Sequence, residues 1–252
     1  MRTKKGVYTV LQGGSKSREK LVDEFGEEFV KTAERLRKRI GYRGGGEREV
    51  FLCHGFCELG AIPAKDALAS IRDFLVANPH EVVLISVEDD TSPEDTARVF
   101  KDSGLLELVY KERIGLVWPT LRRLIDRNER VLVMAEDKTG GIPWYRPQFE
   151  LLQETPFKFE SVAALAGRDA CELNRGKPGN RLFMINTWVD TSPAPKPTNA
   201  KNVNPYRPLL ERARTCSMER RLFPNLVPID FYGEGDVTGV TDTLNREPPP
   251  SG

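Results

Sequence analysis

EVVLISVED, residues 81–89, is a near-continuous apolar run that ends in carboxylates. A strand with one face in water alternates apolar and polar side chains, whereas a strand covered on both faces does not. The run therefore reads as a buried strand of a parallel sheet. Four other runs have the same character: VFLCHG at 50–55, RVLVMAED at 130–137, RLFMINTWV at 181–189 and NLVPIDFY at 225–232. Their starts lie about 30 to 50 residues apart, which leaves room for a helical crossover between parallel neighbours.

The intervening segments carry helical signals. Ala67, Leu68, Ile71, Phe74 and Leu75 step by three and four, between Pro63 and the stop Asn78-Pro79. Thr91-Ser92-Pro93-Glu94 places a hydroxyl cap before a proline and opens a helix that ends near Ser103-Gly104. Further helices are expected at 119–127, at 160–166, and at 206–218, where Leu209, Leu210, Ala213 and Cys216 share a face. The order βαβ, repeated, belongs to a parallel barrel or a doubly wound sheet. No GxGxxG follows the first strand, so the dinucleotide-binding sheet loses its support and an α/β barrel of the TIM type is expected. The barrel is short of strands. Upstream of residue 49 only VYTVL at 7–11 reads as a strand, and Val22, Phe25, Phe29, Ala33, Leu36 and Ile40 step as a buried helical stripe. The reading is thus an N-terminal helical segment at 1–48, a barrel at 49–245 and a disordered tail at 246–252. Pro228 removes a ladder donor from the last strand and suits it to an edge or irregular pairing.

Composition narrows the function classes. The 252 residues carry 38 Lys and Arg against 37 Asp and Glu, a net charge of +1 that offers no field to gather nucleic acid. No window approaches the eighteen or so apolar residues of a membrane span, and the N-terminus MRTKKGVYTVLQGG has no apolar core for a secretory signal. Four cysteines (Cys53, Cys57, Cys171, Cys216) are too few for a disulfide scaffold and leave room for one or two bridges.

The barrel reading gives the chemical candidates one address, because such enzymes build their sites at the C-terminal ends of successive strands. His54, Glu88, Glu136 and Asp230 each close an apolar run. His54 is one of two histidines, and three roles are open to it: general acid or base, metal ligand, or packed core residue. Glu88 shares its strand face with Leu84 and Ser86, so its carboxylate reaches the barrel mouth as a hydrogen-bonding or metal-binding group beside His54. Glu136 and Asp230 follow the same rule, or else pair with a buried arginine. Asn186 and Trp188 could line a substrate shelf. Asp89 and Asp90 are expected to cap the following turn and helix. His80, before its strand, is a solvated residue at the opposite end, and Cys53, on the face opposite His54, is structural.

Taken together, LCHGFCELGA, IRDFLVANPHEVVLISVEDDTSPED, WPTLRRLID, PWYRPQFELLQETPFKF, CELNRG and RTCSMERRLFPNLVPIDFY resemble the phosphatidylinositol-specific phospholipase C X-domain-like family of PLC-like phosphodiesterases, over about residues 48–245. The resemblance implies a distorted TIM barrel that cleaves a phosphodiester by attack of an inositol hydroxyl on phosphorus, with two histidines as base and acid. His54 in LCHG matches the general acid. Glu88 in VED matches the carboxylate that helps bind calcium in metal-dependent relatives, so calcium is the implied cofactor. Asp230 is similar to the acidic residue that orients the first histidine. The resemblance also implies a Cys171–Cys216 bridge, a secreted or cell-surface location, a phospholipid or phosphodiester small-molecule substrate and peripheral membrane contact; it says nothing of oligomeric state. The family's Thr-His-Asn motif and the next acidic strand have no counterpart, and residues 6–48 resemble the insertion that follows them. The barrel is therefore expected to be incomplete, lacking its first two strands, and residues 1–252 alone to show no measurable cleavage. The alternative is a non-catalytic barrel that binds a partner or an inositol-like ligand.

Overall fold

The computed structural model describes residues 7–10, 22, 27–28, 30–31, 49–53, 61–89, 91–114, 117–191 and 196–248. Two compact units divide the chain, Thr3–Gln148 and Phe149–Gly252. Both mix helices with strands, and parallel pairing occurs in each. Among the described residues the strands form three separate sheets and no closed barrel.

In the first unit, β1 (Val7–Val10), β2 (Glu49–Cys53) and β3 (Ala61–Pro63) make an antiparallel sheet with Phe51 opposite both Tyr8 and Pro63. Residues 50–53 of the expected run are thus strand, but they pair antiparallel on both sides. Only residues 54–60 separate β2 from β3, too few for the crossover that a parallel return needs. VYTVL supplies β1. Of the expected stripe at 22–40, the described positions 22, 27–28 and 30–31 are helical and Val30 is buried.

Helix α1 (Ala64–Ala77) buries Ala64, Ala67, Leu68 and Leu75 on one face. Asn78 ends it, with both its backbone N–H (2.9 Å) and its side-chain Nδ2 (2.8 Å) donating to Phe74 O. The chain then enters β4 (Val83–Val87), and α2 (Pro93–Asp102) follows with the cap that the sequence announces: Ser92 Oγ accepts from the Asp95 N–H at 3.1 Å. A 3₁₀ turn (Leu105–Leu108) and α3 (Leu121–Asp126) lead to β5 (Val131–Ala135) and the short β6 (Tyr145–Pro147). β4, β5 and β6 are parallel, with Val83 opposite Val131, Val87 opposite Ala135 and Val133 opposite Tyr145. One face of this sheet, carrying Val83, Ile85, Val87, Val131, Val133 and Ala135, packs on Leu68, Leu75, Val99, Phe100 and Trp144. Leu84 and Leu132 on the other face pack with Tyr110, Leu124, Ile114 and Trp118. Cover on both faces is why EVVLISVED reads as unbroken apolar sequence.

In the second unit, β7 (Leu152–Glu154) and β8 (Leu182–Met184) are parallel, with Glu154 opposite Met184. Residues 225–230 run alongside β8 in the same direction through a single bridge, Met184 to Leu226, and the Ile185 N–H donates to Leu226 O at 2.9 Å. The expected strand NLVPIDFY goes no further as a ladder; Pro228 has no N–H to give, and Thr187 Oγ1 bonds the Pro228 carbonyl instead. Short helices α4 (Val162–Leu165) and α5 (Pro197–Val203) precede α6 (Tyr206–Arg220), which buries Leu209, Leu210, Ala213 and Cys216 as its spacing predicts, and α7 (Val237–Leu244) packs with it. Cys171, at the end of a 3₁₀ turn (Arg168–Cys171), is disulfide-bonded to Cys216. No helix among the described residues is long and apolar enough to cross a membrane.

Candidate active site

Glu88 and Glu136 leave adjacent parallel strands at the same level. Val87 pairs with Ala135, and the Glu136 N–H continues the ladder to Val87 O at 3.0 Å. The pleat puts Leu84, Ser86 and Glu88 on the face shared by Leu132, Met134 and Glu136. That face changes character along the strands: the leucines lie in an apolar cluster, Ser86 hydrogen-bonds the buried Gln148, and the two half-buried glutamates follow beyond the C-terminal ends.

Asp89 does not cap the following helix, as the sequence suggests; Ser92 does. The Asp89 carboxylate is 4% exposed and accepts the backbone N–H groups of Asp137 (2.8 Å) and Lys138. It thereby fastens the loop after β5, and with it Glu136, to the end of β4. Burial pushes this carboxyl above its ordinary range, while the two amides pull it back. His54, Cys57 and Asp90 lie outside the described residues, so the expected neighbourhood of His54 and Glu88 is not described; among the described ladders β2 and β4 are not paired. No three described histidine, cysteine, aspartate or glutamate side chains come together as a metal site.

The second unit holds Asn186, Trp188 and Asp230. Parallel pairing sets Glu154 beside Met184 and Met184 beside Leu226, and Asn186, Trp188 and Asp230 follow two to four residues further along the chain. All three are buried, Asn186 to 1% and Asp230 to 6% exposure. The Asp230 backbone carbonyl accepts from Asn204 Nδ2 at 2.7 Å, and among the described residues its buried Oδ2 meets no hydrogen-bond donor. Asn186 is held at every other polar atom but Oδ1. Its N–H donates to Thr155 Oγ1 (3.0 Å), its Nδ2 donates to Glu154 Oε2 (3.2 Å) and Thr155 O (2.7 Å), and its carbonyl accepts from Arg212 Nε (3.1 Å) and Nη2 (2.8 Å).

Two groups that the sequence reading missed organise this region. Glu154, 1% exposed at the end of β7, bonds Arg175 Nε and Asn174 Nδ2 (3.2 Å), and Arg175 lies against the rings of Phe149 (4.2 Å) and Phe157 (4.7 Å). Gly176 permits the approach: its φ is 95°, and a Cβ there would stand 2.2 Å from Leu152 O. The turn thus lies along β7, with the Glu154 N–H donating to Arg175 O (3.0 Å) and the Asn174 N–H to Glu154 O (2.9 Å). Arg212, on α6, stacks on Phe159 and also reaches Leu165 O (2.7 Å) and Ala170 O (3.1 Å). Burial pulls its pKa down to about 10, so it remains a cation at neutral pH.

The PI-PLC X family model (PI-PLC X 1) matches residues 42–245. The chain belongs to the PI-PLC X family. The match takes in every strand-end candidate, His54, Glu88, Glu136, Asn186, Trp188 and Asp230. A PI-PLC X domain-containing protein 1 of Arthroderma benhamiae is 26% identical over 213 residues, 77% of this chain and 68% of its own length. A PI-PLC X domain-containing protein of Arabidopsis thaliana is 27% identical over 215 residues, 79% of this chain. The chain spans about half, 49%, of that plant relative. No solved structure matches. Within the PI-PLC X segment the missed residues had a signal in short words, ETP at 154–156 and NRG at 174–176. The strand that ends in Glu154 is three residues long, too brief for periodicity to register, and nothing in either word names the other as its partner.

Proposed function

We propose that this PI-PLC X chain is a phosphoric diester hydrolase of the phosphatidylinositol-specific phospholipase C type, acting on an inositol phospholipid or a related small phosphodiester. The parallel pairing of β4 with β5, of β5 with β6 and of β7 with β8 supports the distorted TIM-type barrel of this reading, whose chemistry gathers at strand C-terminal ends. His54 is the general acid that protonates the departing alcohol oxygen. Asp230 is the carboxylate that orients the imidazole of the general base, and its buried Oδ2, without a hydrogen-bond donor among the described residues, supports that role. Asn186, Trp188 and Glu136 bind the head group. Glu88 is the carboxylate that would help hold a calcium ion, which would supply positive charge to the phosphate, and no step is routed through it. The Cys171–Cys216 bridge supports a secreted or cell-surface setting, where disulfides persist and where a lipid substrate is met by peripheral contact with the membrane.

The observation that carries the proposal is the family match over residues 42–245, which encloses a histidine and carboxylates each set at the close of an apolar run. Release of water-soluble phosphate from phosphatidylinositol vesicles tests it. Release should fall about 10² to 10⁴-fold in His54→Ala. Unchanged turnover in that variant refutes the acid role. One observation favours a second reading, a non-catalytic module that binds an inositol-like ligand. The sequence holds two histidines, and His80 lies just before β4, at the strand end opposite Glu88. Saturable binding of inositol phosphate without any turnover decides for it.

A further inference from the structure

We infer that Glu154 is a positioning residue that makes Asn186 an obligate hydrogen-bond acceptor for a polyol hydroxyl, an assignment that rests on the inositol-lipid reading above. A side-chain amide owns two donors and one acceptor, and its orientation is normally ambiguous. Here it is not. Nδ2 faces Glu154 Oε2 at 3.2 Å and Thr155 O at 2.7 Å. Turning the amide over would set Oδ1 against a carboxylate oxygen and a carbonyl oxygen, two acceptors with nothing to give.

The surroundings prevent escape by movement. The Asn186 N–H and carbonyl are bonded to Thr155 and Arg212. Glu154 in turn is anchored through Oε1 by Arg175 and Asn174, and Arg175 is wedged between Phe149 and Phe157. Among the described residues no hydrogen bond engages Asn186 Oδ1. The residue therefore presents one fixed acceptor and no donor beyond the end of β8. A phosphate oxygen, itself an acceptor, gains nothing from it; a hydroxyl of an inositol ring does. Sites built to hydrogen-bond a substrate hydroxyl discriminate strongly against ligands that lack it, because the buried partner is then left unpaired.

The test uses the full chain with ¹⁵N-labelled asparagine, glycerophosphoinositol and inorganic phosphate as probes, and Asn186→Ala to assign the amide. Glycerophosphoinositol should shift the Asn186 side-chain signal saturably, and inorganic phosphate should leave it in place. Glu154→Gln should weaken glycerophosphoinositol by about tenfold, the worth of one hydrogen bond. In the Asn186→Ala background the same substitution should cost almost nothing, since it acts only through Asn186. An equal loss in both backgrounds makes Glu154 merely structural and overturns the inference, as does full affinity in Glu154→Gln. If glycerophosphoinositol moves other signals while that of Asn186 stays, the inference falls and the functional reading stands. If nothing responds, both fall. The wild-type titration decides between a hydroxyl and a phosphate even where a variant fails to fold.

Discussion

Replacing both Cys171 and Cys216 by alanine should remove a large part of the stability of the Phe149–Gly252 unit. The bridge spans 45 residues of sequence, and cross-linking a loop of that length removes about 4 kcal/mol of chain entropy from the unfolded state. The two sulfurs also sit among Phe183, Ile185, Leu209, Leu210 and Ala213, so some apolar burial goes with them. A domain of this size is stable by about 5–15 kcal/mol, and each kcal/mol moves its midpoint by about 4–8 °C. The expected result is a melting temperature lower by about 15–30 °C. Thermal and urea unfolding of wild type and double variant, followed by circular dichroism without reductant, measures it. The variant is preferable to a reductant because it acts at these two positions alone. A loss below about 1 kcal/mol would refute the reasoning, because it would mean that the clamp on the 168–171 turn resides in Arg212 and packing alone.

The other predictions concern single residues. Arg212→Met keeps the bulk on Phe159 but orphans the carbonyls of Leu165, Ala170 and Asn186, and should cost about 3 kcal/mol or more in urea unfolding. Arg212→Lys should recover only part of this, since an ammonium cannot reach three carbonyls as a planar fork does; full recovery would show that charge, not geometry, matters there. Ser92→Ala should cost about 1 kcal/mol through loss of the α2 cap, and no change would mean that Pro93 and the acidic first turn suffice. Asp89 gives a pH signature. Its raised pKa means that the folded state holds the proton more tightly than the unfolded chain, so its contribution is greatest at acid pH and declines as pH rises from about the ordinary value of 3.8 through the raised one. The stability advantage of wild type over Asp89→Asn should thus shrink between pH 4 and pH 7, and an advantage that grows with pH would contradict the burial argument.

Elements were legible where local pattern and tertiary setting agreed. β4 and β5 showed themselves because helices cover one face and the Tyr110–Leu124 cluster the other, and α6 because its buried face repeats every three to four residues. Direction was not legible. VFLCHG has the composition of a buried strand, yet the short interval to β3 turns it antiparallel, a fact of chain length that hydrophobicity does not report. NLVPIDFY lies beside β8 as expected, but one missing N–H at Pro228 reduces a strand to a bridge and two side-chain and loop contacts.

The site divides along the same line. A strand-end rule needs only the order of residues, and it singled out Glu88 and Glu136, which do leave β4 and β5 at their C-terminal ends. It could not find Asp89's true partners 48 and 49 residues away, nor join Glu154 to Arg175 across 21 residues, because a hydrogen bond between loops is decided by register and close approach. Gly176 shows how sequence encodes such a meeting indirectly. It binds nothing, yet any side chain there would strike the backbone of β7 and push Asn174 and Arg175 off Glu154. In this PI-PLC X chain the words ETP and NRG are therefore two halves of one polar device, and the glycine is the residue that lets them close. A substitution such as Gly176→Ala should disturb the Asn186 amide as surely as Glu154→Gln does, although it removes no hydrogen-bonding group at all.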